Sequence, residues 1–437
     1  MKAVIIAGGK GKRLGPQFNK KPKGLVKIGQ RPVIEHQIIL LRKEGIKEIY
    51  LLLGHLGEQI KSYFGKGEKW QVKIHYFQEK KPLGSAGALL QLKDKIKEDF
   101  LVFSCDIMAD FNIKRFINWQ KKRKGIAWLI SHPNDHPFDS DLVETDKKER
   151  VIAILKRPHP SDLLFKNLSI ASVFIFSPRI FRYIPKNKKT DIEKDILPAL
   201  LKKKEKIYAY NTPEYLKDMG TPARLRQVRQ DYRSGKVSRM NLKNKRRAFF
   251  IDRDGVINQE INQLSKLADL KIYNFSAKAI RKINQSGYLA ILITNQPMIA
   301  KGFLDEKELE IIHKKLETEL GRQGAKIDAI YYCPHHPEKG FKNERSELKI
   351  KCHCRKPEIG MILKAKKDFN LDLEKSYLVG DQTSDILAGK RAGCKTILVK
   401  TGYGGKDNKF SVKPDIVIRN LLETSIFRSD SSKKMTS

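Results

Sequence analysis

The chain has 437 residues, 40% of them hydrophobic, which at roughly 150 residues per domain suggests two or three domains and excludes wholesale disorder. No apolar run reaches the roughly 20 residues of a bilayer-spanning helix, and the N-terminal apolar run is too short for a signal peptide, so the chain reads as cytoplasmic, with no membrane insertion. The net charge is +39; so basic a surface attracts polyanions without specificity, but the lysines are spread along the chain and not gathered in a stripe with aromatics, which argues against specific nucleic-acid binding.

Apolar, β-branched runs at Val4–Ala7, Ile49–Leu53, Val72–Phe77 and Phe100–Phe103 predict buried strands. Helical patterns at Ile34–Glu44 and Ser85–Leu92 fall between them, which predicts βαβ units and a mostly parallel sheet. A less regular, strand-rich stretch follows at Ile126–Ile130, Leu142–Thr145, Val151–Ile154 and Ser172–Phe176. A helix at Asp191–Lys203, a strand at Ile207–Tyr210 and a helix from Pro222 complete a domain spanning 1–233. The basic, aperiodic stretch 234–246 reads as a linker. The alternation then restarts over 247–424, with strands at Ala248–Ile251, Leu289–Ile293, Ala329–Tyr332, Tyr377–Val379 and Thr396–Val399. Helices are expected there at Ala277–Gln285, Glu306–Leu320, Ile359–Asp368 and Ser384–Ala392, and 425–437 reads as a polar tail. The fold class is therefore α/β, in two domains.

In the first domain, Gly8-Gly9-Lys10-Gly11-Lys12-Arg13 follows the opening strand directly. Glycines there let backbone N–H groups approach a polyphosphate, and Lys12, Arg13 and Lys23 add charge. Glu79 and the small-residue turn Gly84-Ser85-Ala86-Gly87 suit close approach to a flat base or ribose. Asp106 follows the fourth strand, at the end where α/β folds bind ligands. Asp218, just before a helix start, offers a second carboxylate, and two aspartates can hold Mg²⁺ between phosphates.

Taken in order, these motifs resemble the sugar-1-phosphate nucleotidyltransferases, especially the mannose- and heptose-1-phosphate guanylyltransferase branch. The resemblance implies a Rossmann-like domain in which Gly8, Gly9, Gly11, Arg13 and Lys23 handle the triphosphate. It also implies Glu79, Gly84 and Ser85 at the nucleoside, and Mg²⁺ on Asp106 and Asp218. GTP is the donor that this branch suggests. The chain departs from the family pattern at Gly24 (commonly Pro), Cys105 (Gly), Lys156-Arg157-Pro158 (Glu-Lys-Pro) and Ile170-Ala171-Ser172 (Asn-Ala-Gly). The last two touch the sugar pocket and leave the sugar open. The polar segment His132–Asp141 reads either as part of that pocket or as a capped surface turn.

In the second domain, Asp252-Arg253-Asp254-Gly255 ends a strand with two carboxylates. One can attack phosphorus while its neighbour shuttles the proton. Thr294-Asn295-Gln296 ends the next strand with groups to hold phosphoryl oxygens, Lys356 can neutralise developing charge, and Asp381, with Asp385 after it, adds acidic groups suited to Mg²⁺. Of the 5 cysteines, Cys333, Cys352 and Cys354 join His335 in a pattern that predicts a closed tetrahedral zinc site, with His336 and His353 as spare ligands. Cys105 and Cys394 read as core thiols.

These motifs resemble the haloacid-dehalogenase superfamily, in its zinc-bearing group of heptose 1,7-bisphosphate and histidinol-phosphate phosphatases. The resemblance implies a second Rossmann-like domain carrying a small zinc loop, with Asp252 as nucleophile and Asp254 as general acid and then base. Thr294 and Lys356 would bind the transferring phosphoryl group, with Asn295 beside it and Arg355 at the remote part of the substrate. Asp252, the Asp254 backbone carbonyl and Asp381 would hold Mg²⁺. The loop after Gln296 runs Pro297-Met298 where the family often has Ser-Gly.

A heptose bisphosphate phosphatase leaves the sugar-1-phosphate that a nucleotidyltransferase consumes, so the fusion suggests a bifunctional enzyme taking sugar phosphates and a nucleoside triphosphate. A hexose-1-phosphate enzyme fused to a histidinol-phosphate phosphatase, and a nucleic-acid-end-processing protein, are the alternatives.

Overall fold

The computed structural model describes residues 1–9, 12–15, 20–79, 81–262 and 264–428. Loop residue Gly11, the side chain of Lys12 and 429–437 of the expected tail lie outside the described residues. The chain divides into two compact units, the first ending at Asn241.

The first unit is built on a nine-stranded sheet. In chain order its strands are β1 (Ala3–Ala7), β2 (Glu48–Leu53), β3 (Lys73–Gln78), β4 (Phe100–Ser104), β5 (Ala127–His132), β6 (Leu142–Thr145), β7 (Val151–Leu155), β8 (Ser169–Phe176) and β9 (Ile207–Asn211). Strand β1 lies between β2 and β4 and is parallel to both. Ile5, Leu51 and Phe103 are fully buried on one face of these strands and Val4 and Val102 on the other, so the strands read as unbroken apolar runs. Beyond β4 the sheet turns antiparallel through β8. A separate ribbon pairs Ile107–Asp110 with Tyr215–Asp218 and sets Asp218 opposite Ile107. That register makes neighbours of two aspartates far apart in sequence.

Two sequence expectations are corrected here. The helix expected at Asp191–Lys203 is a wide π-type turn at Ile192–Ile196 followed by an α-helix at Leu197–Lys202. Pro198 has no N–H for an i−4 bond, which favours a break in regular winding before it. The expected linker 234–246 is ordered in part. Lys236–Arg239 is helical, Val237 is buried against Leu225 and Val228, and Leu242 sits in the core of the second unit. A few apolar side chains outweigh the basic composition.

The second unit has a six-stranded, all-parallel sheet, whose strands are β10 (Ala248–Ile251), β11 (Leu289–Asn295), β12 (Ala329–Cys333), β13 (Tyr377–Gly380), β14 (Lys395–Val399) and β15 (Ile416–Ile418). The spatial order is β12-β11-β10-β13-β14-β15. The winding direction reverses at β10, and ligands bind at the carboxyl ends of strands at such a switch point. Pro133–Ser140 and Arg157–Asn167 group with this unit. The Phe165 N–H donates to Thr318 Oγ1 at 3.0 Å, and the Phe138 and Phe165 rings meet edge to face. Asn134 Oδ1 accepts the His136 N–H at 2.8 Å. Of the His132–Asp141 segment, Pro133–Ser140 is thus a capped turn packed within the second unit, while His132 and Asp141 belong to the first.

Candidate active sites

In the first unit, β4 ends at Ser104 and the chain turns through Cys105 into Asp106. Lys23 Nζ lies 2.9 Å from Asp106 Oδ2, and Ser104 Oγ donates to Asp106 Oδ1 at 2.6 Å. Burial alone would raise the Asp106 pKa, but Lys23 and Ser104 outweigh it and hold the carboxyl below its ordinary range. Asp218 accepts from Arg224 Nη1 at 2.7 Å and from the Gly220 N–H at 3.0 Å. The Met219 N–H closes the ribbon onto the Asp106 carbonyl at 3.0 Å. A Cβ on Gly220 would lie 3.3 Å from an Arg13 nitrogen, which puts that guanidinium beside Asp218. Lys23, Arg13, Asp106 and Asp218 therefore converge.

Gly8 and Glu79 also meet, since a Cβ on Gly8 would come within 2.7 Å of a Glu79 oxygen. Gly24 and Cys105 face each other. A Cβ at residue 24 would clash with Ile34 at 2.2 Å and touch Cys105 Cβ at 3.7 Å, so these two departures from the family pattern share one packing site.

Ser85 faces a different neighbour from Gly8. Its hydroxyl donates to Asp191 Oδ1 at 3.2 Å and accepts the Ile192 N–H at 2.9 Å. With Ser104, Ser172, Asp191 and Glu193 it lines a cavity of about 220 Å³ floored by Ile6, Val102 and Phe174. Ser172 has φ 50°, in a region that favours glycine, at an irregularity in the β5–β8 register. Such a bulge re-aims a side chain, and here it brings the Ser172 hydroxyl to Glu193 Oε1. The sequence reading took Asp191–Lys203 as a plain helix and missed both carboxylates; the Pro198 break was the available signal.

In the second unit, Asp252 follows β10, Thr294 and Asn295 end β11, and Asp381 follows β13. Lys356 Nζ lies 2.9 Å from Asp252 Oδ1 and 2.6 Å from Asp385 Oδ1, and donates to the Ile293 carbonyl at 3.1 Å. Oxygens of Asp252, Asp381 and Asp385 lie within 4.8 Å of one another, all buried. Two carboxylates thus share one ammonium, with a third beside them. Burial pushes Asp252 up, Lys356 pulls it down, and Asp385 and Asp254 push again, to about 7. Burial and the neighbouring Asp385 and Asp252 push Asp381 to about 9. Asp381 Oδ1 is buried without a hydrogen-bond partner, while Oδ2 accepts the Tyr403 N–H at 2.8 Å. Side chains at Gly255 or Gly402 would collide with Asp381. An excess of buried negative charge with an unsatisfied oxygen fits a divalent cation. The side chain of Asp385, rather than that of Asp254, completes the acidic group.

The Asp254 carboxylate is turned to Arg253, which grips it at 3.1 and 2.9 Å, and to Gln296 Nε2 at 3.0 Å and Asn258 Nδ2 at 2.9 Å. Arg253 is fully buried and its Nη1 lies 3.4 Å from His313 Nε2. Burial and Arg253 keep His313 well below its ordinary pKa. Sequence reading gave Arg253 and His313 no role. Gln296 also donates to Thr294 Oγ1 at 2.8 Å, and Asn295 bridges to the Lys356 backbone at 3.0 and 3.1 Å. Arg355, Lys301, His336 and Lys409 line the same cavity, of about 280 Å³.

Cys333 Sγ, His335 Nδ1, Cys352 Sγ and Cys354 Sγ cluster, with separations between 3.0 and 3.6 Å. Zinc–sulfur bonds of about 2.3 Å in tetrahedral array suit such spacings, and the donor set is that of a structural zinc site. Of the spare histidines, His336 lines the carboxylate cavity and His353 is outside the cluster.

The sequence profile of the nucleotidyl transferase family matches residues 2–235. The chain belongs to that family. A HAD-hydrolase-like profile matches residues 353–424. The second half is 43% identical over 161 residues to a D-glycero-alpha-D-manno-heptose-1,7-bisphosphate 7-phosphatase of Photorhabdus laumondii, covering 37% of this chain and 86% of that protein. It is 37% identical over 182 residues to the D-glycero-beta-D-manno-heptose-1,7-bisphosphate 7-phosphatase of Haemophilus ducreyi, covering 41% of this chain and 96% of that one. A solved D,D-heptose 1,7-bisphosphate phosphatase from B. bronchiseptica is 31% identical, covering 41% of this chain and 96% of that one, with a TM-score of 0.36. This nucleotidyl transferase is therefore also a member of the phosphatase family of those relatives, a bifunctional enzyme in one chain. No helix among its described residues is long and apolar enough to cross a membrane.

Proposed function

We propose that the chain makes a nucleotide-activated heptose in two steps, in the cytoplasm. The second unit removes the 7-phosphate of D-glycero-D-manno-heptose 1,7-bisphosphate. The first then joins the resulting heptose-1-phosphate to a nucleotidyl group, with GTP the expected donor. The observation that carries this reading is the buried Asp252–Lys356–Asp385–Asp381 group in a unit whose relatives bear heptose bisphosphate names, on one chain with a nucleotidyl transferase.

In the hydrolytic step, a carboxylate oxygen of Asp252 attacks phosphorus and the bond to the sugar oxygen breaks. Asp254, positioned by Arg253, Gln296 and Asn258, delivers the proton to that oxygen. Water then attacks the phosphoaspartate, Asp254 takes its proton, and inorganic phosphate leaves. Lys356 and Thr294 hold the phosphoryl oxygens, Asn295 orients Lys356 through its backbone, and Arg355 faces the remote end of the substrate. In the transfer step, a sugar phosphate oxygen attacks the nucleotide α-phosphorus and pyrophosphate leaves. The nucleophile is already ionised, so positioning and charge neutralisation carry the catalysis. Gly8, Gly9, Arg13 and Lys23 face the triphosphate, with Glu79 and Gly84 toward the nucleoside.

Asp252, Asp381, Asp385 and the Asp254 carbonyl would hold Mg²⁺ in the second unit, and Asp106 and Asp218 in the first. Mg²⁺ supplies neutralisation of phosphoryl charge at both. Cys333, His335, Cys352 and Cys354 would hold a structural Zn²⁺.

The test is a mass-spectrometric assay with Mg²⁺, each anomer of heptose 1,7-bisphosphate and an equimolar mixture of GTP, ATP, CTP and UTP. The expected product is one NDP-heptose, lost in Asp252→Asn and restored by added heptose-1-phosphate. Phosphate release without an NDP-sugar would overturn the heptose assignment of the first unit. Neither product from zinc-replete protein would overturn both.

A further inference from the structure

The cavity beside Asp106 carries a charge pattern that bears on which sugar phosphate it admits. Ser104 lines it and donates to Asp106 at 2.6 Å, so the cavity adjoins the aspartates of the transfer site. Its floor is apolar, and its polar lining comprises the hydroxyls of Ser85, Ser104 and Ser172, the carboxylates of Asp191 and Glu193, and Lys194. The Ser85 and Ser172 hydroxyls donate to those carboxylates, which fixes both acids in the wall. Against the two carboxylates the lining sets a single lysine, Lys194. Lys156 and Lys194 are exposed, and Lys156 Nζ is engaged by the Lys194 carbonyl at 2.9 Å. Carboxylates accept hydrogen bonds from sugar hydroxyls. They repel a phosphate dianion, and half-buried charges are poorly screened by salt.

We propose that Asp191 and Glu193 make the first unit selective for a sugar-1-phosphate whose remote end is uncharged, so that the bisphosphate is rejected and dephosphorylation must come first. The inference rests on the two-step reading above. It assigns the order of the steps to two side chains and to discrimination between acceptors, because a site rejects a competitor by placing like charge where that competitor is charged.

The test uses the full chain carrying Asp252→Asn, so that the bisphosphate persists, and reads nucleotidyl transfer as pyrophosphate release. Two acceptor pairs are compared at initial rate, heptose-1-phosphate against heptose 1,7-bisphosphate and mannose-1-phosphate against mannose 1,6-bisphosphate. The expected kcat/KM ratio favours the monophosphate by about 100-fold, and Asp191→Asn or Glu193→Gln narrows it about tenfold by speeding the bisphosphate. A thermal melt superimposable on the parent's is the control for folding, and the parent comparison needs no pocket variant. Equal use of both members of a pair overturns the inference, as does an unchanged ratio in both variants. Discrimination within the mannose pair and no turnover of either heptose would sustain the inference and overturn the heptose reading. No turnover of any of the four acceptors overturns both.

Discussion

The two reaction sites of this chain solve opposite electrostatic problems. In the first unit, Asp106 meets Lys23, and Asp218 meets Arg224 with the Arg13 guanidinium beside it, so each carboxylate has a cation of its own. In the second, Asp252 and Asp385 share the ammonium of Lys356, and Asp381 crowds against both carboxylates. The consequence is visible in protonation. Asp106 is held below its ordinary range despite burial, whereas Asp252 rises to about 7 and Asp381 to about 9. The site proposed to receive a polyphosphate gains its negative charge from the substrate and rests with its carboxylates paired. A site whose buried Asp252 is the proposed nucleophile rests in deficit, and keeping that carboxylate ionised depends on a cation.

The comparison breaks most cleanly at Asp252. Asp252→Asn should lower phosphate release by about 10⁴-fold or more, because no nucleophile remains. Transfer to supplied sugar-1-phosphate should persist, since the other site shares none of these residues. Loss of both activities would mean that the two sites are not independent.

The mirror experiment is smaller. Lys23→Met leaves the buried Asp106 without its ammonium, and Asp106→Asn leaves the ammonium without its acid. Either should cost about 10²–10³-fold in transfer, the range for losing one electrostatic group at a site that works by positioning. Phosphate release is the control and should be unchanged.

The proposed zinc sharpens the comparison, because among the described residues the thiol–imidazole cluster lies in the second unit alone. Removing the metal with a chelator, or substituting Cys352→Ser, frees the loop between His335 and Cys352. A cross-link of that kind is worth about 3 kcal/mol, which for one domain is roughly 6–12 °C in its melting transition. Calorimetry of the full chain should show the phosphatase transition move and the other stay. Coincident movement of both would contradict the assignment of the cluster to one unit.

Much of both sites was legible because their residues sit at strand ends that apolar runs announce. Asp252 and Asp381 each follow an unbroken buried strand and Thr294 lies near the end of one, and Cys333, His335, Cys352 and Cys354 cluster as their pattern predicts. What was not legible depends on register and on irregular turns. The meeting of Asp106 with Asp218 comes from a two-stranded ribbon that no periodicity predicts. Asp191 and Glu193 reach the cavity because a wide turn replaces a regular helix. Arg253 lay inside a recognised motif, yet its complete burial against Asp254, Gln296 and His313 follows only from tertiary packing.

The same packing yields the smallest effect. The helix Glu306–Arg322 buries both His313 and Glu317. Burial pushes the Glu317 carboxyl from 4.5 to about 7, with Lys166 and the Asn167 N–H opposing. An acid whose pKa is raised by folding binds more protons folded than unfolded. Its contribution to stability is therefore fully present below about 4.5 and declines as pH rises toward 7. Glu317→Gln removes that slope, so the variant should gain on the parent by on the order of 1–2 kcal/mol between pH 5 and pH 8. Urea denaturation at the two pH values measures it. Metal binding at the proposed zinc site would also depend on pH, but that dependence is common to both proteins and cancels in the difference. A difference independent of pH would mean that Glu317 is ionised in the folded chain, with Lys166 as its counterion.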